Sequence, residues 1–468
     1  MEAGSGGTLQ PTTPPARGSG EVKTRGTGRA AITTLGCKVN TFESAVIAQR
    51  LAADDWELVD ARQDADLYII NSCTVTAEAD RQTRQTVRRV LRQNPSARVV
   101  LTGCYAQNEP EYCAEIPGVS LVIGNDHKLE IARIARDLSP HTAAGPAPIR
   151  VDRLSSLPVA LLKGYESRTR AFVQIQQGCD QSCTFCVIHR ARGPSRSFDQ
   201  AGVLEQIRTF SEHGYREIVL CGVDLGSYDS GSKQCQEGST ALTTLLHEIA
   251  MLPGEFRVRL SSIDPVHLDE GLLEVLATGP RFCPYLHVSL QSGSTLILKR
   301  MKRRYDRVFL LERLLAARER IPPLVLGADV MAGFPTETEA DFIQTQEIIE
   351  QAQILYPHVF SYSARPGTPA AQIPRQIPKP ERRRRAGLLR ETGQELRRSA
   401  LAQMAGQDGI LLMEQGEATR EGTGYHGRLA NYMPVRLPDS PAQPGTFVKV
   451  RICGVEGDVL IAQKLGSE

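Results

Sequence analysis

Three closely spaced cysteines in the middle of the chain could bind a metal cluster. Cys179, Cys183 and Cys186 form a C-x3-C-x2-C pattern directly after an alternating apolar run that is typical of a β-strand. Three thiolates on one loop can hold three irons of a [4Fe-4S] cluster and leave the fourth iron without a protein ligand. We expect that iron to bind S-adenosylmethionine, whose reductive cleavage would release a 5′-deoxyadenosyl radical. A zinc loop is the alternative, but zinc sites usually combine two C-x2-C pairs or Cys/His pairs.

A second set of three cysteines follows predicted strands nearer the N-terminus. Cys37, Cys73 and Cys104 stand after the runs AAITTL, DLYIIN and RVVLTG, and helical patterns separate these runs. This alternation predicts a parallel sheet covered by helices. Because the carboxyl ends of parallel strands lie at one edge, we expect the three thiols to meet there and hold a second [4Fe-4S] cluster, again with one iron free of thiolate. The alternative is three unrelated buried cysteines, since free cysteine is common in protein cores.

Six further strand candidates between residues 171 and 365 alternate with helical stretches and predict a partial (β/α)6 barrel. Barrel chemistry lies at the C-terminal ends of the strands, where the cysteine loop also falls. We expect Phe185 to pack against the adenine of S-adenosylmethionine. Four residues at other strand ends are further candidate contacts, although a glycine in such a position often marks only a turn: Gly222, Ser262, Gln291 and Asp329.

Composition limits the class of protein. The chain has 468 residues, enough for about three domains, and 41 % of them are apolar. No apolar run approaches the roughly 18 to 20 residues that span a bilayer, so we expect no contact with a membrane. Eleven cysteines without disulfide-like regularity favour a reducing compartment, so we expect a cytoplasmic protein. The formal net charge of +2 means that binding of nucleic acid must depend on local clusters.

Arginine clusters are the candidates for contact with RNA, because they could follow a phosphate backbone. They occur in three groups: Arg81, Arg84, Arg88, Arg89 and Arg92; Arg300, Arg303 and Arg304; and Arg382 to Arg385 with Arg390, Arg397 and Arg398. Short strand patterns near the C-terminus predict a small antiparallel β-barrel. Its Tyr425, Tyr432 and Arg428 offer aromatic and cationic groups for RNA.

These patterns together predict an α/β protein with the following division. We expect a disordered leader over residues 1–28, a parallel α/β domain with the second cluster over 29–138, and a linker over 139–170. The radical-generating barrel covers 171–400, and the small RNA-binding barrel covers 401–468.

Several motifs, in order, resemble the radical S-adenosylmethionine methylthiotransferase family. They are TLGCKVNTFES, INSCTVT, TGCYAQ, GCDQSCTFCVI, SLQSGS, LKRMKRRY, GFPTETEADF and YSARPGT. The match is nearest to the branch that acts on N6-threonylcarbamoyladenosine in transfer RNA, and the last segment is similar to the TRAM domain. The sequence departs from the family pattern at His189, Phe198 and Thr336. At these three positions the family usually has proline, arginine and glycine, respectively.

The resemblance implies a reaction in which a methylthio group replaces the C2 hydrogen of the adenosine 3′-adjacent to the anticodon. It assigns the radical-generating cluster to Cys179, Cys183 and Cys186. It assigns an auxiliary cluster, which presents the sulfur to be transferred, to Cys37, Cys73 and Cys104. The implied partners are the anticodon stem-loop of tRNA, an external electron donor and a sulfur donor. An aromatic C2–H is not acidic enough for general base catalysis, so we expect no catalytic side chain beyond the cluster ligands.

Two other functions stay open at this point. One is a methylthiotransferase that acts on isopentenyladenosine in tRNA or on a ribosomal protein. The sequence motifs GCKVN and YSARPGT favour the threonylcarbamoyl branch over this alternative. The other is a non-catalytic iron–sulfur protein that binds RNA, which the strand ends suited to S-adenosylmethionine argue against.

Overall fold

The computed structural model describes residues 28–140, 145–154, 161–165, 169–229, 240–414, 425–438 and 443–466. The predicted leader over 1–28 lies outside these residues except for Gly28, and so does part of the predicted linker over 139–170. Within the described ranges, no helix is both long enough and apolar enough to cross a membrane.

The first unit is a six-stranded parallel sheet with helices against it. Its strands are β1 (Gly28–Thr34), β2 (Trp56–Val59), β3 (Leu67–Ser72), β4 (Arg98–Gly103), β5 (Leu121–Ile123) and β6 (Ile149–Arg150). Its helices are α1 (Lys38–Ala53), α2 (Ala77–Gln93), α3 (Cys104–Asn108), α4 (Pro110–Ala114) and α5 (Ile131–Arg136). The strand order is β2-β1-β3-β4-β5-β6, and all pairs are parallel, which confirms the predicted sheet. Strand β6 lies within the interval that we predicted as a linker.

The central strands are buried on both faces, which is why the sequence shows continuous apolar runs there. Every residue of β3 is buried. Ile69 and Val100 belong to the core on one face of the sheet, and Ile70 and Leu101 to the core on the other face. Side chains alternate in this way because successive residues of a strand point to opposite faces.

The second unit is the predicted partial barrel. Its strands are β7 (Arg170–Gln174), β8 (Gln176–Gln177), β9 (Arg196–Ser197), β10 (Glu217–Cys221), β11 (Arg257–Leu260), β12 (Ser262–Ile263), β13 (Tyr285–Gln291), β14 (Val325–Ala332) and β15 (Ile354–Ser361). Its helices are α6 (Ile188–Arg192), α7 (Gln200–Glu212), α8 (Ala241–Met251), α9 (Glu270–Thr278), α10 (Thr295–Arg300), α11 (Arg307–Arg320), α12 (Glu339–Gln351), α13 (Pro369–Gln372) and α14 (Lys379–Ala402).

The barrel strands form two parallel sheets, β11-β10-β7 and β12-β13-β14-β15. Only Ser261 separates β11 from β12, so these two strands occupy one position and the barrel has the six strand positions that the sequence predicts. Strands β8 and β9 form a separate antiparallel pair. Helix α14 lies along β15, where Arg390 donates to the carbonyl oxygen of Val359 at 2.7 Å.

The third unit is a closed barrel, which confirms the predicted C-terminal fold. Its strands are β16 (Asp408–Met413), β17 (Tyr425–Leu429), β18 (Pro434–Leu437), β19 (Phe447–Glu456) and β20 (Val459–Lys464). Their order around the barrel is β16-β17-β18-β20-β19. Neighbouring strands are antiparallel except for β18 and β20, which pair in parallel.

The C-terminal barrel closes the end of the central barrel at which its strands begin. The Tyr432 ring lies 4.9 Å from the Tyr285 ring, and the Arg259 guanidinium lies 4.9 Å from the Tyr432 ring. Arg428 stacks over the same ring at 4.2 Å. Tyr432 and Arg428 are therefore used in packing between the two barrels, although both are only half-buried, and their contact with RNA stays a prediction. Tyr425 is exposed.

Candidate active site

The loop that carries Cys179, Cys183 and Cys186 joins β8 to α6, and its three thiols line one pocket. The loop begins at Gly178, whose φ is +79°, and a Cβ at that position would lie 1.9 Å from the carbonyl oxygen of Pro194. Only glycine fits such a close approach. Backbone amides point at two of the sulfurs, because Gln181 N lies 3.4 Å from Cys179 Sγ and Ile188 N lies 3.4 Å from Cys186 Sγ.

A buried cation lies against this loop. Arg303 donates to Cys183 Sγ at 3.4 Å and to Asp264 Oδ2 at 2.5 Å, and its side chain is 8 % exposed. Burial raises the pKa of Cys179 to about 12 and that of Cys186 to about 11, so protons must leave these thiols when iron binds. The charge of Arg303 opposes the rise in the pKa of Cys186. Arg303 belongs to a group that we expected to contact RNA, but its own side chain is buried against the cysteine loop.

Three of the predicted contacts for S-adenosylmethionine line the same pocket: Phe185, Ser262 and Gln291. Gln291 has a φ of +63°, and its Oε1 is buried without a hydrogen-bond partner among the residues that the structure describes. A buried acceptor of this kind is costly unless a ligand satisfies it. The side chains around the pocket therefore fit a polar guest.

The other two predicted contacts lie just behind the pocket wall. Gly222 precedes Val223, which lines the pocket, and Gln176 Oε1 accepts the amide of Val223 at 2.9 Å. Ser262 Oγ donates to Asp329 Oδ2 at 3.1 Å, so Asp329 lies one side chain away from the pocket.

The second set of thiols lies at the carboxyl edge of the first sheet. Strands β1, β3 and β4 are neighbours, and Thr34 pairs with Asn71 and Ser72 with Gly103 where the strands end. Cys73 and Cys104 follow β3 and β4 directly, and Cys37 precedes α1. A Cβ at Gly36 would lie 2.7 Å from Cys73 Cβ, so the loops of Cys37 and Cys73 are in contact.

The buried thiols of Cys73 and Cys104 have raised pKa values. Burial raises the pKa of Cys73 to about 12, and the neighbouring Cys104 and Cys37 add to that rise. Burial also raises the pKa of Cys104, while the charge of Arg192 opposes the rise. Such coupling requires the three sulfurs to be close to one another.

The chemistry of the donor sets is compatible with clusters. Within the described part of the chain, no three His, Cys, Asp or Glu side chains are close enough to share one metal ion. In a [4Fe-4S] cluster each thiolate binds a different iron, so three sulfurs need not converge on one ion. Each set here consists of three thiols with a buried guanidinium beside it.

Arg192 connects the two sets of thiols. It ends α6, the short helix after Cys186, and its Nε donates to Cys104 Sγ at 3.1 Å. Its terminal nitrogens donate to Asn40 Oδ1 and to the carboxylate of Glu43. Arg192 is 1 % exposed. The helix that follows the cysteine loop therefore packs against the sheet edge that carries the second set.

Lys128 and Glu43 complete this buried network. Lys128 Nζ lies 2.6 Å from Glu43 Oε2, and both side chains are buried. Burial alone would raise the pKa of Glu43, but Arg192 and Lys128 lower it to about 2. Sequence reasoning missed this network, and the only signal for it is the ARG run after the cysteine loop.

A second connection joins the loop of Cys73 to the barrel. Arg365, which follows β15, donates to Thr74 Oγ1 at 2.8 Å and to Asp80 Oδ2 at 2.6 Å. Ser363 Oγ accepts the backbone amide of Ala77 at 3.1 Å. These residues belong to the YSARPGT motif, so that motif positions the first unit on the barrel.

The remaining arginine groups are partly structural. On α2, Arg84 donates to the Tyr105 hydroxyl at 3.0 Å. On α14, Arg385 is buried and lies 2.8 Å from Glu337. The exposed members, which stay available to a polyanion, are Arg81, Arg88, Arg89, Arg92, Arg304, Arg383, Arg384, Arg390 and Arg398.

Two families match separate parts of the chain. Residues 29–124 match the family described as "Uncharacterized protein family UPF0004", and residues 173–349 match the "Radical SAM superfamily". The first match covers the sheet with Cys37, Cys73 and Cys104, and the second covers the barrel with its cysteine loop.

Curated relatives match over nearly the full length. Proteins named "Threonylcarbamoyladenosine tRNA methylthiotransferase MtaB" from Rickettsia prowazekii and Bacillus subtilis are both 35 % identical. The alignments cover 92 % and 90 % of this chain and 96 % and 93 % of those relatives. A "tRNA-2-methylthio-N(6)-dimethylallyladenosine synthase" from Corynebacterium efficiens is 29 % identical over 96 % of this chain and 87 % of its own length.

A solved structure shares the fold. The radical S-adenosylmethionine methyltransferase TsrM from Kitasatospora setae has a TM-score of 0.52 and 16 % identity, over 73 % of this chain and 75 % of that chain. The contact of Arg192 with Cys104 joins the helix after the cysteine loop to the second set of thiols. Together with near full-length relatives at 35 % identity, it leads to one conclusion. The chain belongs to the radical S-adenosylmethionine methylthiotransferase family.

Proposed function

We propose that this protein inserts a methylthio group at C2 of N6-threonylcarbamoyladenosine, 3′-adjacent to the anticodon of tRNA. The observation that carries this proposal is the contact of Arg192 with Cys104, because it joins the loop of one thiol set to the other set. Relatives named for threonylcarbamoyladenosine are 35 % identical, whereas one named for dimethylallyladenosine is 29 % identical. This difference supports the threonylcarbamoyl substrate.

The six cysteines hold the two clusters in this proposal. Cys179, Cys183 and Cys186 bind the [4Fe-4S] cluster that takes S-adenosylmethionine, and the auxiliary cluster is held by Cys37, Cys73 and Cys104. When bound, these groups supply the carbon radical and the sulfur that a C2–H substitution needs. An acid or base from the protein is not required, because the C2–H bond is not acidic.

The protein's own residues bind and orient S-adenosylmethionine. We assign Phe185 to the adenine face, and Ser262 and Gln291 to polar contacts, because all three line the thiol pocket. Gly222 lets the backbone at Val223 approach the pocket. Asp329 acts indirectly by holding the Ser262 hydroxyl.

The units divide the work. The first sheet presents the auxiliary thiols, and the central barrel presents the loop of Cys179, Cys183 and Cys186. The C-terminal barrel binds the RNA together with the exposed arginines of the other two units. The anticodon stem-loop is the part of tRNA that reaches the pocket. An external electron donor and a sulfur donor complete the reaction, and the cytoplasm is the compartment that holds its tRNA substrate.

Mass spectrometry of tRNA nucleosides tests the proposal. A bacterial strain without its own enzyme of this kind should gain 2-methylthio-N6-threonylcarbamoyladenosine when it expresses this chain, and should lose it with Cys179→Ser. The control is Cys113→Ser, because Cys113 is buried in the core of the first sheet. Appearance of the methylthio group on isopentenyladenosine instead would contradict the choice of substrate.

A further inference from the structure

A second pocket opens where α14 lies along β15, apart from the thiol pocket. It combines inner-face side chains of β13 and β15 with the polar side of α14. Its principal lining residues are His287, Tyr356, His358, Arg390, Gln394 and Arg397. Nothing described so far uses this pocket.

A chain of polar contacts through one carboxylate connects the second pocket with the thiol pocket. Ser262 lines the thiol pocket and donates to Asp329. Asp329 Oδ1 in turn lies 3.3 Å from His287 Nε2 and 2.8 Å from His358 Nδ1, and both histidines line the second pocket. Strand register explains this arrangement, because Ser262 pairs with His287, and Asp329 pairs with His358.

The charges of this pocket suit an anion. Arg390 is exposed, and its bond to the Val359 carbonyl holds its guanidinium at the edge of β15. Arg397 stacks over Tyr356 at 5.4 Å, and its Nε is buried without a hydrogen-bond partner within the described ranges. Two carboxylates lie nearby. Asp329 lies within hydrogen-bonding distance of His287 and His358, and Asp458 Oδ2 lies 2.6 Å from a terminal nitrogen of Arg397.

We propose that this pocket binds the carboxylate of the N6-threonylcarbamoyl group, with Arg390 and Arg397 as donors. The inference rests on the proposed function. In adenine, C2 and C6 flank the same ring nitrogen, so a substituent on N6 lies near any group that reaches C2. A guanidinium offers paired N–H donors that match a carboxylate. An apolar dimethylallyl group would leave the buried Nε of Arg397 unsatisfied, which is costly.

The test measures RNA affinity with the reconstituted full chain and S-adenosylmethionine. Three anticodon stem-loops differ only at the target adenosine: threonylcarbamoyl with a free carboxylate, its methyl ester, and plain adenosine. The wild-type chain should bind the free carboxylate about tenfold or more tightly than the ester, as a charge-assisted hydrogen bond predicts. Arg390→Gln and Arg397→Gln should remove this preference, and Arg398→Gln, on an exposed residue of the same helix, should keep it.

Other outcomes overturn the inference. Equal affinity of the wild-type chain for acid and ester would do so. So would an Arg390→Gln variant that weakens all three RNAs equally and lowers the salt dependence, because that result indicates a phosphate contact. Melting temperatures identify a variant that fails to fold. If Arg397→Gln does not fold, the loss of preference is measured with Arg390→Gln alone. Product formation is scored separately, so a chain that prefers the carboxylate but makes no methylthio product would contradict the proposed function and not this pocket.

Discussion

Arg192 Nε lies 3.1 Å from Cys104 Sγ, although 88 residues separate the two in sequence. The same guanidinium pairs with Glu43, which also binds Lys128 at 2.6 Å. All of these groups are buried, so the attraction between them must offset the free-energy cost of removing each one from water. The contact joins the helix after the cysteine loop of the barrel to the sheet edge that carries the second thiol set.

Replacement of Arg192 should destabilise the protein strongly. Arg192→Met leaves Glu43 with one cation, and loss of a partner from a buried ion pair costs about 3 to 5 kcal/mol. Urea unfolding of the metal-free chain measures this change. Arg190→Met, on an exposed residue of the same helix, should change stability by only about 0.5 kcal/mol. Equal effects of the two substitutions would show that the Arg192 network does not hold the units together.

Iron content should separate the two thiol sets. The reconstituted wild-type chain should hold about eight irons, and Cys73→Ser or Cys179→Ser should each leave about four. Iron and sulfide assays after anaerobic reconstitution give these values. Cys113→Ser should keep about eight, because Cys113 lies in the core of the first sheet. Full iron content in both Cys73→Ser and Cys179→Ser would exclude the assigned ligands.

Acid should weaken the Glu43 network. The pKa of Glu43 is lowered from 4.5 to about 2 by Arg192 and Lys128, despite its burial. Its stabilising contribution is therefore fully present above pH 4.5 and is lost as the pH falls towards 2. Urea midpoints of the metal-free chain between these pH values measure the slope. Glu43→Gln should be less stable at neutral pH and should show a shallower slope, and an unchanged slope would contradict this prediction.

Tyr432 should act on the stability of the protein. Tyr432→Ala removes a ring that contacts Tyr285, Arg259 and Arg428, and the cost should be about 2 kcal/mol. Thermal unfolding measures this cost. Tyr425→Ala changes an exposed residue of the same barrel and should leave the melting temperature nearly unchanged. An unchanged melting temperature for Tyr432→Ala with lost RNA affinity would assign Tyr432 to RNA binding alone.

Gly327 should be needed for the position of His287. A Cβ at Gly327 would lie 2.7 Å from His287 Nδ1 and 2.5 Å from the Tyr285 hydroxyl, so Gly327→Ala should displace both side chains and weaken binding of the threonylcarbamoyl RNA. Gly387→Ala is the control, because apart from its chain neighbours and the backbone of its own helix, no atom of the described residues lies within 4 Å of its Cβ position in the interior of α14. That change should stabilise the chain by about 0.8 to 1 kcal/mol. Wild-type RNA affinity in Gly327→Ala would show that His287 can move without consequence.

The sequence by itself determined the parts that depend on short-range patterns. The spacing of Cys179, Cys183 and Cys186 lies within one loop, and Cys37, Cys73 and Cys104 each follow a strand whose apolar run is visible in the chain. The parallel sheet, the six strand positions and the closed C-terminal barrel follow from the same periodicity, because side-chain alternation and burial are local properties of a strand.

Only the tertiary structure decided which polar side chains meet. Arginines that look alike in sequence have different roles: Arg303 lies against Cys183, Arg192 against Cys104, and Arg397 over Tyr356. Tyr432 packs against the central barrel, although the aromatic and cationic residues around it in the sequence suggested RNA binding. These contacts join residues far apart in the chain. The partners of these side chains therefore depend on how whole units pack, because a buried charge is stable only where the fold places an opposite charge beside it.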